Sequence, residues 1–496
     1  MECQYKEIIE IENKKKIFKK CQWVPFFRQL LVSSGVWVVY FGTGLCMGAP
    51  TVLIPQLRRE ANSTDAVSPE MASWLSSIFG YTAIPWVFIL SGLMKLIGRK
   101  KTFTLVTLNS IAMFVAFYIS NNANQLLYSE ILQGMTHGSS VTVSVIVISE
   151  YTSPRYRGLF LTIKSATLLW GMWASNTIGA FFHWKYIPMC GMICSIFPLT
   201  VFIWPESPYW LATKGRYDEC AAAHRWLKGS DPDSEKELET LMDSQIKTIK
   251  QERKVSLSLI LKTVKLKEFY KPLLLSLLMA GQYHFSGKFV CSIYSIEIIK
   301  RITKNDSAAY MGMLILDGVT VFSMYIGCGI AKVLKRRTLL LNSSAVGILF
   351  LFIISGYLYS VKLQLIEENK YVSIFLLSCF SLSISLGPMI MATSIYGELV
   401  PLRFKSSCVI TIAVVFNALH ATLLKGSPYI FKTLGLHGMF LFYGISASIF
   451  TILIYKYLPE TKDKTLQEIE EYFKDDKTEV KEKLFVKDEL RHLGYV

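Results

Sequence analysis

The stretch PESPYWLATKGRYDEC, Pro205 to Cys220, decides how the rest of this chain is read. It follows a run of apolar residues, opens the longest polar segment of the protein, and divides the remaining hydrophobic segments into two comparable sets. A Pro-bracketed acid, an aromatic pair and a Lys-Gly-Arg turn make an odd composition for a loop that leaves a membrane. Glu206 stands where the chain reaches water, and such a carboxylate accepts charged hydrogen bonds from Arg on neighbouring loops. The plainer alternative is a helix stop followed by a surface helix.

On both sides of this stretch the composition is that of a polytopic membrane protein. Of 496 residues, 52% are hydrophobic, 13% aromatic and 18% charged, whereas soluble domains carry about 25% charged residues. The ten Cys lie inside apolar segments (Cys46, Cys190, Cys194, Cys291, Cys328, Cys379, Cys408) or in segments read as cytosolic (Cys3, Cys21, Cys220), so no disulfide framework is implied. The net charge of +16 comes from cations scattered at the ends of hydrophobic segments. That placement speaks for orientation in a bilayer and against a nucleic-acid partner.

A window of about 20 apolar residues per span gives twelve helices, the first six at about 30–57, 71–94, 102–120, 126–149, 159–180 and 187–204. The second six lie at about 270–296, 309–331, 338–358, 372–397, 407–424 and 437–457. The expected organisation is a cytosolic tail over about 1–29, a six-helix bundle over 30–204, a helical linker over 205–269, a second bundle over 270–457 and a tail over 458–496. Small residues line one face in GTGLCMGAP (Gly42 to Pro50) and GMTHGSSVTVS (Gly134 to Ser144), a pattern that serves close helix packing.

Charge placement sets the topology. Lys95, Arg99, Lys100 and Lys101, then Arg155 and Arg157, then Lys332, Lys335, Arg336 and Arg337, then Arg403 and Lys405 all fall in even-numbered connections. With the Lys-rich amino terminus, both termini are expected in the cytosol. The sequons at Asn62 and Asn305 then lie outside, where glycosylation is expected, while Asn342 falls within a span.

The two halves repeat one another. GLMKLIGRKKTF (Gly92 to Phe103) follows the second helix and IAKVLKRRTLLL (Ile330 to Leu341) the eighth. ISEYTSPRYRG (Ile148 to Gly158) follows the fourth and YGELVPLRFKS (Tyr396 to Ser406) the tenth. Such repetition implies duplicated bundles about a pseudo-twofold axis.

With these motifs the chain resembles the sugar porter family of the major facilitator superfamily, and among its members the insect facilitated trehalose transporters and animal glucose transporters. PESPYWLATKGRY is close to the family's PESPRWL, and LPETK at Leu458 to Lys462 to its PETKG. The resemblance implies an all-α membrane protein with twelve transmembrane helices in two pseudo-symmetric six-helix bundles, the major facilitator fold, working by alternating access. By the same resemblance Arg99, Glu150, Arg157 and Glu206 form a cytosolic gate in the first half, and Arg336, Glu398, Lys405 and Glu460 its counterpart in the second.

Departures from the family lie in the turns after helices two and eight, where Lys95 and Lys332 replace acids, and more so in the cavity. A Gln of helix five, a Gln-Gln and an Asn of helix seven, and a Pro-x-Pro-Trp of helix ten serve sugar in the family; here those positions read Lys164 and Ser165, YHFSGKF (Tyr283 to Phe289) and GPMIM (Gly387 to Met391). Together with Tyr294 and Asn417, which match the family pattern, the candidate substrate-binding set is Lys164, Ser165, Tyr283, His284, Lys288, Phe289 and Met391. Cations within spans mark functional positions, and they would suit an anionic solute or an internal acid such as Glu130 or Asp317. Where the family has a Gly-Arg pair in the fourth helix, this chain has Ser129 and Glu130.

Proton-driven relatives carry an acid in helix one; Phe41 to Pro50 has none, which predicts facilitated diffusion. No nucleotide loop, metal-ligand spacing or nucleophile motif occurs, so neither an enzyme nor a cofactor is expected. The sequence predicts a facilitative carrier of trehalose or hexose in the plasma membrane, whose partners are the solute and the lipid bilayer. A carrier of another polar or anionic solute, or a solute sensor that does not transport, are the alternatives, and no oligomeric state can be read.

Overall fold

Helix is the regular structure throughout the computed structural model, which describes residues 2–61, 67–251, 267–391, 399, 405–460 and 472–473. Hydrocarbon offers the backbone no hydrogen-bond partner, and a helix satisfies its own N–H and C=O groups. Among the described residues nine stretches are long and apolar enough to cross a bilayer. One of them, Cys408–Tyr457, holds two spans, because Gly435 at φ 70° turns the chain between them. The more polar Pro154–Phe181 and the interrupted run from Lys267 to Thr303 complete the twelve helices. Large apolar side chains such as Phe88, Ile193, Phe202 and Ile203 stay exposed on the spans, as a lipid-facing surface requires.

The chain divides into two compact units. The first joins Met1–Arg253 with Ser292–Val321 and His420–Pro428; the second joins Lys254–Cys291, Phe322–Leu419 and Tyr429–Val496. In the first unit the small-residue faces pack as expected. A Cβ on Gly44 would meet the Cα of Gly171 at 3.0 Å, so the first and fifth spans touch backbone to backbone there. Val32, Val36, Leu90, Phe103, Tyr151, Phe160, Trp204 and Leu227 form one buried cluster beside this contact.

Three helices follow the first six spans: Pro208–Thr213, Tyr217–Lys228 and Pro232–Gln251. Trp210, Leu211, Cys220, Ala223 and Leu238 give them a small core of their own. They are fixed to the first span at its start. Arg28 Nη1 donates to the Trp226 carbonyl at 2.9 Å and Gln29 Nε2 to the Leu227 carbonyl at 3.2 Å, which satisfies carbonyls that the helix end leaves without partners.

Two spans are broken at membrane depth. The fourth divides at Thr142, between Ala123–Val141 and Val143–Tyr151. The seventh divides between Phe285 and Lys288, where Gly287 takes φ 75° and a Cβ would come within 2.7 Å of the Tyr443 ring. A side chain there meets both a strained backbone and an aromatic wall, so glycine alone fits.

Candidate functional site

At its basic end the third span starts at Arg99 with backbone N–H groups that have no partner inside the helix. Glu206 supplies the acceptor. Its Oε1 receives the N–H of Arg99 at 2.9 Å, of Lys100 at 3.0 Å and of Ser207 at 2.8 Å. A carboxylate at a helix N-terminus also meets the positive end of the helix dipole. Gly98, at φ 100°, lets the carboxylate come close, since a Cβ there would run into it.

The Arg99 guanidinium is thereby left to Glu150, which it grips with two parallel bonds, Nε to Oε2 and Nη2 to Oε1, each 2.9 Å. The two side chains are only 10% and 14% exposed, so water weakens this pair little. Arg99 Nη1 donates to the Met94 carbonyl at 3.0 Å, and Ser207 Oγ donates to Glu150. Lys100 Nζ donates to the carbonyls of Phe202 and Trp204 at 3.0 and 2.6 Å. Trp210 Nε1 reaches the Lys95 carbonyl at 3.1 Å. The stretch that divides the sequence is thus bound to the turns after the second and fourth spans.

Arg157 stands apart from this arrangement. Its Nε is buried without a hydrogen-bond partner among the described residues. The four expected gate residues of the first half therefore have separate tasks: one helix cap, one bidentate pair, and one cation whose buried Nε has no partner among the described residues.

The second unit repeats the cap. Glu460 accepts the N–H of Arg336 on Oε1 at 3.1 Å and of Arg337 on Oε2 at 3.2 Å, at the start of the ninth span. Arg337 Nη2 donates to the Tyr455 carbonyl at 2.5 Å. Glu398, the side chain of Lys405 and Asn62 lie outside the described residues. Asn305 is exposed, and its Oδ1 accepts the N–H of Ala308 at the start of the eighth span.

The expected substrate residues divide between the units. In the first, Lys164 is 6% exposed, donates Nζ to the Ser140 carbonyl at 2.7 Å and sits 4.5 Å from the centre of the Tyr40 ring. It is spent on the break of the fourth span and does not reach out to an interface. Ser165 bonds within its own helix, to the Leu161 carbonyl at 3.3 Å. Tyr294 donates to the Leu424 carbonyl at 3.0 Å. In the second unit Tyr283, His284, Phe289 and Phe416 form an aromatic cluster, with Tyr283 5.3 Å from Phe289 and His284 4.4 Å from Phe416. Lys288 and Met391 are buried, and the Lys288 N–H meets Ser286 Oγ at 3.4 Å. Asn417 Nδ2 donates to the Ala413 carbonyl at 2.7 Å, and its buried Oδ1 has no partner among the described residues.

The sequence profile of the family described as "Sugar (and other) transporter" matches residues 30–473. The chain belongs to that family. It is 26% identical over 459 residues to the facilitated trehalose transporter Tret1 of Drosophila grimshawi, covering 90% of this chain and 48% of that one, so it spans about half the length of that relative. To the facilitated trehalose transporter Tret1 of Apis mellifera ligustica it is 23% identical, over 92% of this chain and 90% of the other. Among solved structures, the proton:xylose symporter XylE bound to 6-bromo-6-deoxy-D-glucose superposes with a TM-score of 0.72 at 14% identity, over 92% of this chain and all of that one. The inward-open xylose transporter XylE from E. coli gives 0.71 at 13%, over 91% and 100%. The fold is that of the major facilitator sugar porters.

One polar network of this family member escaped the sequence reading. In the first unit, at the end of the spans away from Arg99, Asp317 accepts Asn176 Nδ2 at 2.6 Å and Ser292 Oγ at 2.8 Å. Thr51 Oγ1 donates to the Ile293 carbonyl at 2.8 Å, and Lys425 Nζ donates to Ser73 Oγ at 2.9 Å while lying 3.8 Å from the Trp74 ring centre. The signal was there as polar residues within spans, and Asp317 drew notice as an acid. The partner of each depends on how sequence-distant helices meet, which periodicity does not report.

Proposed function

We propose that this protein carries a neutral sugar, trehalose or a hexose, down its gradient by alternating access. The observation that carries the reading is the duplicated cap: Glu206 on the N–H groups of Arg99 and Lys100, and Glu460 on those of Arg336 and Arg337. Each links the end of a six-helix half to the start of its own third helix, so that a half moves as a body. Glu150, Arg157, Glu398 and Lys405 complete the gate on the cytosolic side, where both termini lie. Tyr283, His284, Phe289 and Met391 supply apolar walls to the sugar, while Asn417 Oδ1 offers an acceptor to a hydroxyl. The plasma membrane is the site of action, with glycans at Asn62 and Asn305.

Uptake of labelled trehalose, glucose and an anionic sugar into proteoliposomes tests this. Saturable entry of a neutral sugar, accelerated by the same sugar inside, is the expected result. Entry of the anionic sugar alone, abolished in Lys288→Asn, would replace the neutral substrate with an acidic one. Saturable binding without flux would make the protein a sensor.

A further inference from the structure

Glu130 lies two turns into the fourth span and is 3% exposed, and its Oε2 is buried without a hydrogen-bond partner among the described residues. Gln133, one turn further and fully buried, donates Nε2 to the Thr43 carbonyl at 3.3 Å, which leaves its Oε1 also without a donor. Two buried acceptors one helical turn apart, neither supplied with a hydrogen, form an arrangement that interiors avoid. A proton on the carboxyl turns one of them into a donor and removes the charge that membrane depth penalises.

Among the described residues no cation pairs with Glu130 to hold it ionised. From the first span the Cys46 thiol donates to Met113 Sδ at 3.2 Å. On its own helix His137 has both ring nitrogens buried without partners among the described residues, and its ring lies 5.0 Å from that of Phe79 and 5.7 Å from that of His420. Lys164, from the fifth span, is committed to the Ser140 carbonyl, and Lys425 to Ser73. Away from their basic ends, Ile78–Leu96 and Arg99–Ile119 contain only Tyr81 and Tyr118 as titratable side chains.

We propose that Glu130 is a proton-binding site whose occupancy sets the turnover of this carrier. The proposal rests on the carrier reading above. Absence of an acid from Phe41 to Pro50 does not leave the spans without buried carboxyls: Asp317 is held by Asn176 and Ser292, and Glu130 stands in the fourth. Loss of the proton introduces an uncompensated buried charge and disfavours the conformation described here, so turnover falls as pH rises.

Two measurements test it, and only the second depends on transport. In pH-difference infrared spectra of the full-length protein, a buried carboxylic C=O band that titrates is expected, and it should be missing from Glu130→Gln. Gln133→Leu, which keeps the carboxyl and removes the nearby acceptor, should move its midpoint to lower pH. Equilibrium exchange of labelled sugar, with sugar and pH equal on both sides, should fall with alkalinity by up to about tenfold per pH unit in the wild type. In Glu130→Gln it should stay near the acid limit at every pH, while His137→Gln keeps the wild-type slope. Absence of the band, an unchanged slope in Glu130→Gln, or dependence on sodium in place of pH overturns the proposal. Absence of exchange at every pH overturns the carrier reading and with it the claim on turnover, whereas exchange with a flat wild-type profile overturns this inference alone.

Discussion

Glu206 holds the backbone of Arg99 while Glu150 holds its side chain, so one residue is fixed by two acids from different parts of the chain. The cap requires an oxygen, and the helix dipole adds a preference for charge. Glu206→Gln, which keeps an oxygen, is expected to lower stability slightly and slow sugar exchange severalfold. Glu206→Ala should cost about 0.5–2 kcal/mol, the range for loss of a helix cap. Thermal unfolding and exchange rates on both variants check this; equal behaviour of Gln and Ala would mean that the oxygen is not what matters.

The Arg99–Glu150 pair makes a sharper demand, because a Lys ammonium cannot reproduce two parallel N–H groups in one plane. Arg99→Lys keeps the charge, gives up the two-bond grip on Glu150 and leaves the Met94 carbonyl short of a donor. The expected loss is about 1–3 kcal/mol, which places Arg99→Lys nearer to Arg99→Ala than to the wild type in thermal unfolding. A Lys variant as stable as the wild type would show that a point charge is enough.

The fold was legible because its signals are local. Hydropathy marked the apolar stretches that the structure folds as long helices. The task of each expected gate residue was less legible: sequence suggested that Glu206 meets an Arg side chain, and it accepts the Arg99 backbone N–H instead. Gly98 held the clue, since glycine with a positive φ beside a helix start implies a close approach by something. Lys164, expected from the sequence as a cation of the cavity, donates to the Ser140 carbonyl at the Thr142 break. That break lies in a run of Ser, Val and Thr with no Pro to announce it.

Acid should loosen the helix Tyr217–Lys228 from its place beside the first span. Burial, and secondarily the Lys228 ammonium, lower the pKa of His224 from 6.5 to about 4, with Glu237 and Glu235 pulling weakly the other way. The docked state thus holds the neutral ring. Its contribution is complete above the ordinary value and is lost as pH falls from 6.5 toward 4, because the released helix takes up the proton first. The loss is on the order of 2 kcal/mol. Hydrogen exchange of the Tyr217–Lys228 amides should quicken across that window in the wild type and not in His224→Leu, and equal acid sensitivity in the two would exclude His224 as the cause.

Lys164 provides the test of how far the rewritten cavity residues act on sugar. Its ammonium is buried, bonded to the Ser140 carbonyl at 2.7 Å and stacked on Tyr40, so the geometry assigns it to joining the fourth and fifth spans. Lys164→Met keeps most of the volume and removes the donor, leaving a carbonyl short of a partner where the helix is already interrupted. The cost should be about 1–3 kcal/mol, seen as a lower unfolding temperature. With that donor used between two helices, the KM for the proposed neutral sugar should change little. A large rise in KM at unchanged thermal stability would move Lys164 from the scaffold to the binding surface.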